Sequence, residues 1–325
     1  MSDYYPSARA KRLIGRSYDE FTRGYNPFGL IANFAVLDAD ASLEEIKEAF
    51  LKYGAVKIRG IYSPEKTTRL HDECIKLSKL KPKDLSLVYQ SKKSPFAGGF
   101  PSVKTNSFWE YAGDKRVAQI VQAILGQNST EIGNSVAAHY TARGIHRDYR
   151  NLTEDPTSDY FFEKPEKRII RILHYCAPQH MHGGQLGIIP FSHDGKLWAE
   201  QTKRIGLKKD LEWFYRHREL VGKLRFSKDF SETDEIERHV VWINADPGDI
   251  VVTNSAILHC GEHITMPRYF FVSTYAEANE EILKTTDKTA ELSFNIKDNL
   301  FKEYHQFLAS RGFLGSNKLL KRVLK

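Results

Sequence analysis

The chain contains little cysteine and no long apolar segment. Its only thiols are Cys74, Cys176 and Cys260 among 325 residues, an odd and scattered set that does not make a disulfide framework. No apolar run approaches the ~20 residues that a membrane-spanning helix needs, and the first residues lack the apolar stretch of a secretory signal. From these absences we expect a soluble protein in a reducing, cytoplasmic compartment.

Linkers, repeats and a strong charge of one sign are also lacking. The net charge of +7, from 48 basic and 41 acidic residues, is compatible with an anionic small substrate but does not require one. With 41% hydrophobic residues, the chain can bury one large core. We therefore predict a single domain over 1–325, with helical support over about 1–130, a β core over about 131–276 and a helical tail over 277–325.

Periodicity and turn signals place helices first and short strands after them. The helices are predicted at about 43–53, 64–79, 115–125, 208–221 and 297–309. The strands are predicted near 55–59, 133–140, 168–176, 185–190, 239–244, 249–254 and 268–276. So many short strands in the second half favour a mainly β fold with flanking helices and a jelly-roll core.

Two histidines and one carboxylate are candidate metal ligands. In a strand, residues i and i+2 point to the same face, so His146 and Asp148 can reach one ion if their segment is extended. With His259 they make the ligand set of non-haem ferrous sites, which leaves positions for an organic acid and dioxygen. Taken alone, His146-Arg147-Asp148 is equally well a solvated charge beside a satisfied histidine. A kinase catalytic loop is excluded, because Thr153 replaces the magnesium-binding Asn.

The segment around His259 strengthens the metal-site interpretation. Pro247-Gly248-Asp249 is a turn signal before a β-branched run, and Arg268 begins the next predicted strand. A histidine near the end of one strand and an arginine at the start of the next can lie side by side across the strand pair. Because arginine binds carboxylates bidentately, Arg268 is a candidate clamp for the far carboxylate of an iron-bound acid.

From about Ala41 to Tyr275 the sequence resembles the phytanoyl-CoA dioxygenase family of Fe(II)/2-oxoglutarate-dependent oxygenases. Three blocks carry the resemblance: His146-Arg-Asp148, Gly183-Gly-Gln-Leu-Gly-Ile-Ile-Pro-Phe-Ser-His193, and Gly248-Asp-Ile-Val-Val with His259 and Pro267-Arg268. The resemblance implies a double-stranded β-helix (jelly-roll, cupin-like) core with N-terminal helices against one sheet. It also implies Fe(II), 2-oxoglutarate as co-substrate, O2 as oxidant, and release of succinate and CO2.

The sequence departs from the family pattern at two positions. Phe191 stands where the family usually has Gly, and Gly261 stands where a Ser is common. A hydroxyl for the co-substrate would then come from elsewhere, for instance from Thr253. By loose resemblance Asn134 occupies a position where relatives place Gln or Asn near the co-substrate, although a locally bonded polar side chain is an equally good interpretation.

A basic insertion over about 196–238 is a candidate lid. If its helix buries an apolar stripe, Lys209, Trp213 and Arg216 share another face, which would close over an anionic substrate group. The alternative is a solvated charged helix face. Two further candidate substrate contacts are Arg147 and His182, and for His182 an exposed loop position is the alternative.

The sequence thus predicts a non-haem Fe(II)/2-oxoglutarate dioxygenase that oxidises, most simply by hydroxylation, a small metabolite or natural-product intermediate. Two other classes stay open. One is a nucleic-acid-modifying oxygenase, which the basic balance favours although no nucleic-acid-binding motif is present. The other is a non-catalytic metal-binding relative. The sequence does not specify the substrate, the oligomeric state, or the choice among hydroxylation, desaturation, cyclisation and epimerisation.

Overall fold

The computed structural model describes residues 35–78, 102, 105–139, 168–177, 185–194, 241–261, 268–280, 282–283 and 299–323. Its helices are α1 Leu43–Tyr53, α2 Pro64–Ser78, α3 Trp109–Ala112, α4 Lys115–Leu125, α5 Asn299–Ser310 and α6 Gly315–Val323, with a 3-10 turn at Asn106–Phe108. None of the helices in these ranges is long and apolar enough to span a bilayer. The predicted helix at 208–221 and the insertion at 196–238 lie outside these ranges.

The strands are β1 Ala35–Asp38, β2 Ala55–Arg59, β3 Ser129–His139, β4 Ile169–Tyr175, β5 Leu186–Ile189, β6 Val241–Ile243, β7 Ile250–Asn254, β8 Leu258–Gly261 and β9 Arg268–Glu277. They form a six-stranded sheet in the order β1-β2-β7-β4-β9-β3 and a three-stranded sheet in the order β6-β5-β8. We call these the large and the small sheet. From β4 onward the chain passes repeatedly between the two sheets, which is the topology of a double-stranded β-helix. The predicted fold class is confirmed.

Helix α1 shows how local sequence sets an element. Ser42 and Glu45 form a reciprocal capping box at its start, which satisfies two amides that the first turn leaves without helical partners. Ile46 and Phe50 are fully buried on one face. Gly54 ends the helix with φ 76°, where a side chain would be strained and would collide with the His193 ring.

Alternation along the strands gives the large sheet two different faces. Ile170 and Ile172 of β4 pack in the core shared with the helices. Leu173 and Tyr175 pack in a second core with Ile188 of the small sheet. The large sheet therefore has a helix-facing side and an inner face that meets the small sheet, and successive residues alternate between the two.

The helix-facing side contains a buried carboxylic acid. Glu131 of β3 accepts hydrogen bonds from Asn134 Nδ2, at 3.1 and 3.0 Å to its two oxygens, and from the Tyr304 hydroxyl. Burial raises the pKa of Glu131 to about 8, even though both hydrogen bonds lower it. The carboxyl group is therefore protonated at neutral pH.

The predicted elements that fall on described residues agree with the structure, but four observed elements were not predicted. Helices 43–53 and 115–125 and strand 55–59 match the observed bounds. Strand β3 starts at Ser129 rather than 133, and a bulge lies between Glu131 and Gly133. The sequence analysis missed β1, β8, α3 and α6, because four residues are too few for a periodic signal and because the C-terminal helix boundary was not recognised.

We predict that Glu131→Gln removes a pH dependence of folding. A carboxyl pKa raised in the folded state stabilises the protein below the unfolded pKa, and that contribution is lost as pH rises through about 8. Between pH 6.5 and 8, the free energy of unfolding of the wild type should fall by on the order of 1 kcal/mol per pH unit. Urea titrations across this range should show no such slope in Glu131→Gln.

Two buried histidines titrate partly within this range, so the difference in slope between the wild type and Glu131→Gln, not the wild-type slope alone, isolates Glu131. Burial lowers the pKa of His174 and of His305 to about 3, so each costs stability as pH falls through its unfolded pKa of about 6.5, and does so equally in the wild type and the variant. The matched control is Glu44→Gln, at an exposed position on α1. Equal slopes in wild type and Glu131→Gln would contradict the prediction.

Candidate functional site

The candidate metal ligand His259 lies on β8 in the small sheet. It is half-buried and pairs with Ile188 of β5. Its Nδ1 lies 3.0 Å from the carbonyl oxygen of Ile257. Because a carbonyl oxygen only accepts, Nδ1 carries the proton, and the neutral ring then has its lone pair on Nε2. Metal-ligating histidines commonly donate their other ring N–H to a backbone carbonyl in this way, so His259 fits the role of a ligand.

The remaining triad residues, His146 and Asp148, lie outside the described residues, so the triad stays a prediction. The five candidate substrate contacts also lie outside them: Arg147, His182, Lys209, Trp213 and Arg216. Within the described ranges, no group of three His, Cys, Asp or Glu side chains is placed to hold a metal ion.

A tight turn after β5 supports the strand that carries His259. The Ser192 hydroxyl accepts from the Leu258 amide at 2.8 Å and donates to the Ile189 carbonyl at 2.6 Å. Its neighbour Phe191 has φ 66°, a left-handed conformation that is unfavourable by roughly 1–2 kcal/mol for an L-residue. Gly adopts such a φ without strain. The Phe191 ring contacts that of Tyr53, with centroids 5.5 Å apart.

Arg268 is the first residue of β9 and pairs with His139 of β3. The expectation that it lies beside His259 across a strand pair is wrong, because β8 belongs to the small sheet and β9 to the large sheet. Consecutive strands of a double-stranded β-helix cross between the sheets, so neighbours in sequence are not neighbours in a sheet. The Arg268 side chain lies outside the described part of the structure.

Asn134 is bonded locally on the helix-facing side. Its amide donates to Glu131, and its oxygen accepts from the Ser102 amide at 3.3 Å. Asn134 pairs with Ser273, five residues from Arg268, which is about 17 Å along the strand. These contacts match the locally bonded alternative, and they leave the Asn134 side chain engaged away from a co-substrate at Arg268.

Thr253 and Arg268 lie far apart along the strand direction of the large sheet. It pairs with Arg171 of β4, and Arg171 pairs with Thr274 of β9. Thr274 is six residues from Arg268, or about 20 Å along the strand. The Thr253 hydroxyl donates to the Arg171 carbonyl at 3.4 Å. Thr253 therefore cannot bind the same carboxylate as Arg268.

The register brings together a polar row that the sequence analysis missed. Thr253, Arg171 and Thr274 are direct cross-strand neighbours, so they share one face of the large sheet. That face is the inner one, because Arg171 alternates with Ile170 and Ile172, which pack toward the helices. The only sequence signal is a single arginine inside the apolar run Ile169–Tyr175.

Comparisons with known proteins agree with this fold. No protein-family model and no curated protein matches the chain. Among solved structures, HygX from Streptomyces hygroscopicus, with nickel and 2-oxoglutarate bound, is similar at a TM-score of 0.50 and 16% identity, covering 73% of this chain and 87% of that chain. This likeness shows the fold.

Two further solved structures are similar at lower TM-scores. The non-heme α-ketoglutarate-dependent epimerase SnoN from nogalamycin biosynthesis has a TM-score of 0.48 at 14% identity, covering 73% of this chain and 83% of that chain. EctD from S. alaskensis, with 2-oxoglutarate and 5-hydroxyectoine, has a TM-score of 0.49 at 16% identity, covering 73% and 77%.

We predict that Ser192→Ala weakens metal binding by about tenfold, as loss of a group that orients a ligand typically does. The change removes the acceptor of the Leu258 amide, next to His259, and leaves that buried amide without its bond. Calorimetric titration with Co(II) measures the effect. The control is Ser255→Ala, which removes a buried hydroxyl that has no hydrogen-bond partner among the residues that the structure describes. The same Co(II) affinity in Ser192→Ala and wild type would refute this role of the turn.

Proposed function

We propose that the protein is a non-haem Fe(II)- and 2-oxoglutarate-dependent dioxygenase of the phytanoyl-CoA dioxygenase type. The observation that carries the proposal is His259, half-buried on a strand of a double-stranded β-helix with its Nδ1 committed to the Ile257 carbonyl. HygX, which has this fold, is solved with nickel and 2-oxoglutarate bound. The three sequence blocks that resemble the family support the same assignment.

The residues proposed to hold Fe(II) are His146, Asp148 and His259. Two imidazoles and one carboxylate suit ferrous iron and leave coordination positions for a bidentate acid and dioxygen. Bound iron and 2-oxoglutarate would supply the oxidising chemistry, with succinate and CO2 as co-products. The proposed outcome for the substrate, a small metabolite or natural-product intermediate, is hydroxylation.

The protein's own part is orientation and exclusion of water. The Ile257 carbonyl fixes the tautomer and the direction of the His259 ring. The buried apolar side chains between the sheets, among them Leu173, Ile188 and Phe270, keep water from the inner face, where polar interactions then become stronger. Arg268 is proposed to clamp the far carboxylate of 2-oxoglutarate.

The iron assignment predicts a spectroscopic signal. Anaerobic addition of Fe(II) and 2-oxoglutarate to the wild type should give a weak visible charge-transfer band, because a keto-acid chelated to ferrous iron absorbs there. His259→Ala should lose the band. The control is His71→Ala on α2, another half-buried histidine, which should keep it. No band in the wild type, or a full band in His259→Ala, would overturn the assignment.

The clamp assignment predicts a selective loss of co-substrate affinity. Truncating one partner of a buried charge pair costs about 2–5 kcal/mol, so Arg268→Ala should weaken 2-oxoglutarate binding by roughly 30-fold to a few thousand-fold. Calorimetry on protein loaded with Co(II) measures this, and Co(II) affinity itself should change little. Arg168→Ala, which removes an ion pair with Glu277 at 3.1 Å, is the control. Binding within threefold of wild type in Arg268→Ala would place the clamp elsewhere.

A further inference from the structure

The start of strand β9 extends past the end of its neighbour β4. The ladder between the two strands stops at the pair of Tyr175 with Phe270, because β4 ends at Tyr175. The first two residues of β9, Arg268 and Tyr269, pair with β3 on the other side. Among the described residues, the start of β9 is therefore held by a strand ladder on one side alone.

The thiol of Cys176 contacts β9 where the β4 ladder has stopped. Cys176 directly follows β4, and its Sγ donates a hydrogen bond to the carbonyl oxygen of Tyr269 at 3.1 Å. Tyr269 is bonded to Arg268 through the next peptide unit toward the N-terminus. The thiol thus satisfies a carbonyl that β4 does not reach, and it restrains the backbone of the residue that adjoins Arg268.

Cys176 is itself held in place by the turn that precedes β7. The amide of Tyr175 donates to the Asp249 carbonyl at 3.0 Å, and the carbonyl of Tyr175 accepts from the Gly248 amide at 2.9 Å. The Cys176 side chain is 5% exposed and packs in the core on the helix-facing side. The thiol therefore approaches β9 from a fixed position.

The thiol is in the form that can donate. Burial raises the pKa of Cys176 well above its usual value, and the neighbouring thiol of Cys74 raises it further, so Cys176 is protonated at neutral pH. A backbone carbonyl only accepts, so the thiol supplies the proton of the bond to Tyr269. A buried free cysteine commonly packs as a small apolar side chain, and Cys176 differs by its bond to the main chain.

We propose that Cys176 is a positioning residue for Arg268. Its thiol, acting through the Tyr269 carbonyl, holds the start of β9 in the conformation that Arg268 needs to bind the far carboxylate of 2-oxoglutarate. This inference rests on the proposed function, because the clamp role of Arg268 belongs to it. Cys176 packs on the helix-facing side and acts only through Arg268. Such support matters because a displacement of about 1 Å in a binding group can cost on the order of 100-fold.

The test measures 2-oxoglutarate affinity in the full chain loaded with Co(II). Visible-absorption titration of the Co(II) protein follows weak binding as well as strong. Cys176→Ala removes the donor and leaves a space, and Cys176→Val removes the donor but fills that space. Both should weaken 2-oxoglutarate binding about tenfold, as loss of a group that orients a ligand typically does, and leave Co(II) affinity within threefold of wild type. Cys176→Ser keeps a hydroxyl donor and should recover most of the affinity.

The matched control is Cys74→Ala. Cys74 is fully buried in the same core as Cys176, so its truncation opens a similar space but leaves the bond to Tyr269. Its 2-oxoglutarate affinity should stay within threefold of wild type. A loss in Cys74→Ala equal to that in Cys176→Ala would make core packing the cause and overturn the proposal. A Cys176→Ser variant as weak as Cys176→Val would overturn it too.

A double-mutant cycle shows whether Cys176 acts through Arg268. When Arg268→Ala is already present, Cys176→Val should change 2-oxoglutarate affinity by less than twofold, because the cation that the thiol positions is gone. A general loss of structure would weaken binding equally with and without Arg268. An undiminished effect of Cys176→Val in that background would therefore overturn the proposal.

The same titrations separate this proposal from the assigned function. A wild type that binds 2-oxoglutarate, an Arg268→Ala variant that binds it weakly and Cys176 variants that bind it normally would overturn the role of Cys176, while the oxygenase assignment would stand. Normal binding in Arg268→Ala would overturn the clamp and the role of Cys176 together. A wild type that does not bind 2-oxoglutarate would overturn the oxygenase assignment and, with it, the role of Cys176.

Discussion

The buried ion pair between Lys57 and Asp249 connects the elements on which the site depends. Lys57 Nζ lies 2.9 Å from Asp249 Oδ2 and donates to the Asn244 carbonyl at 2.6 Å. The other carboxylate oxygen accepts from the Gly60 amide at 3.0 Å. One charge pair thus joins β2 of the large sheet, the end of β6 in the small sheet and the start of β7. Removing either partner would leave a buried charge, at a cost of about 3–5 kcal/mol.

On the helix-facing side of the large sheet, buried polar side chains satisfy one another. His174 bonds to the Tyr62 hydroxyl through Nδ1 and to the Ser273 hydroxyl through Nε2, each at 2.7 Å, and burial holds its pKa low. Such a network fixes one register of β4 against β9, because a one-residue slip would turn His174 toward the apolar core between the sheets.

Local signals predicted the parts of the fold that depend only on nearby residues. Ser42 and Glu45 mark the start of α1 and Gly54 marks its end, and the observed bounds of this helix match the prediction. Strand β8 was missed because Leu258–Gly261 is too short for an alternation signal. The prediction that His259 and Arg268 lie side by side across a strand pair was wrong for a different reason. Their relative position depends on which sheet each strand joins. Pairing register cannot be derived from the sequence alone either. The separation of Thr253 from Arg268 and the pairing of Arg171 with Thr274 therefore could not be predicted.

The register also limits how ligands can share the inner face. His259 belongs to a strand of four residues, about 13 Å long. Residues 255–257 connect the start of this strand to the β7 end that carries Thr253, and its last residue precedes the crossing to Arg268. The two arginine levels are therefore reached from opposite ends of the His259 strand, and they are six residues of β9, or about 20 Å, apart. A carboxylate held at the level of Arg268 is then out of reach of Arg171, because the pairing register keeps the two cations at different ends of the large sheet.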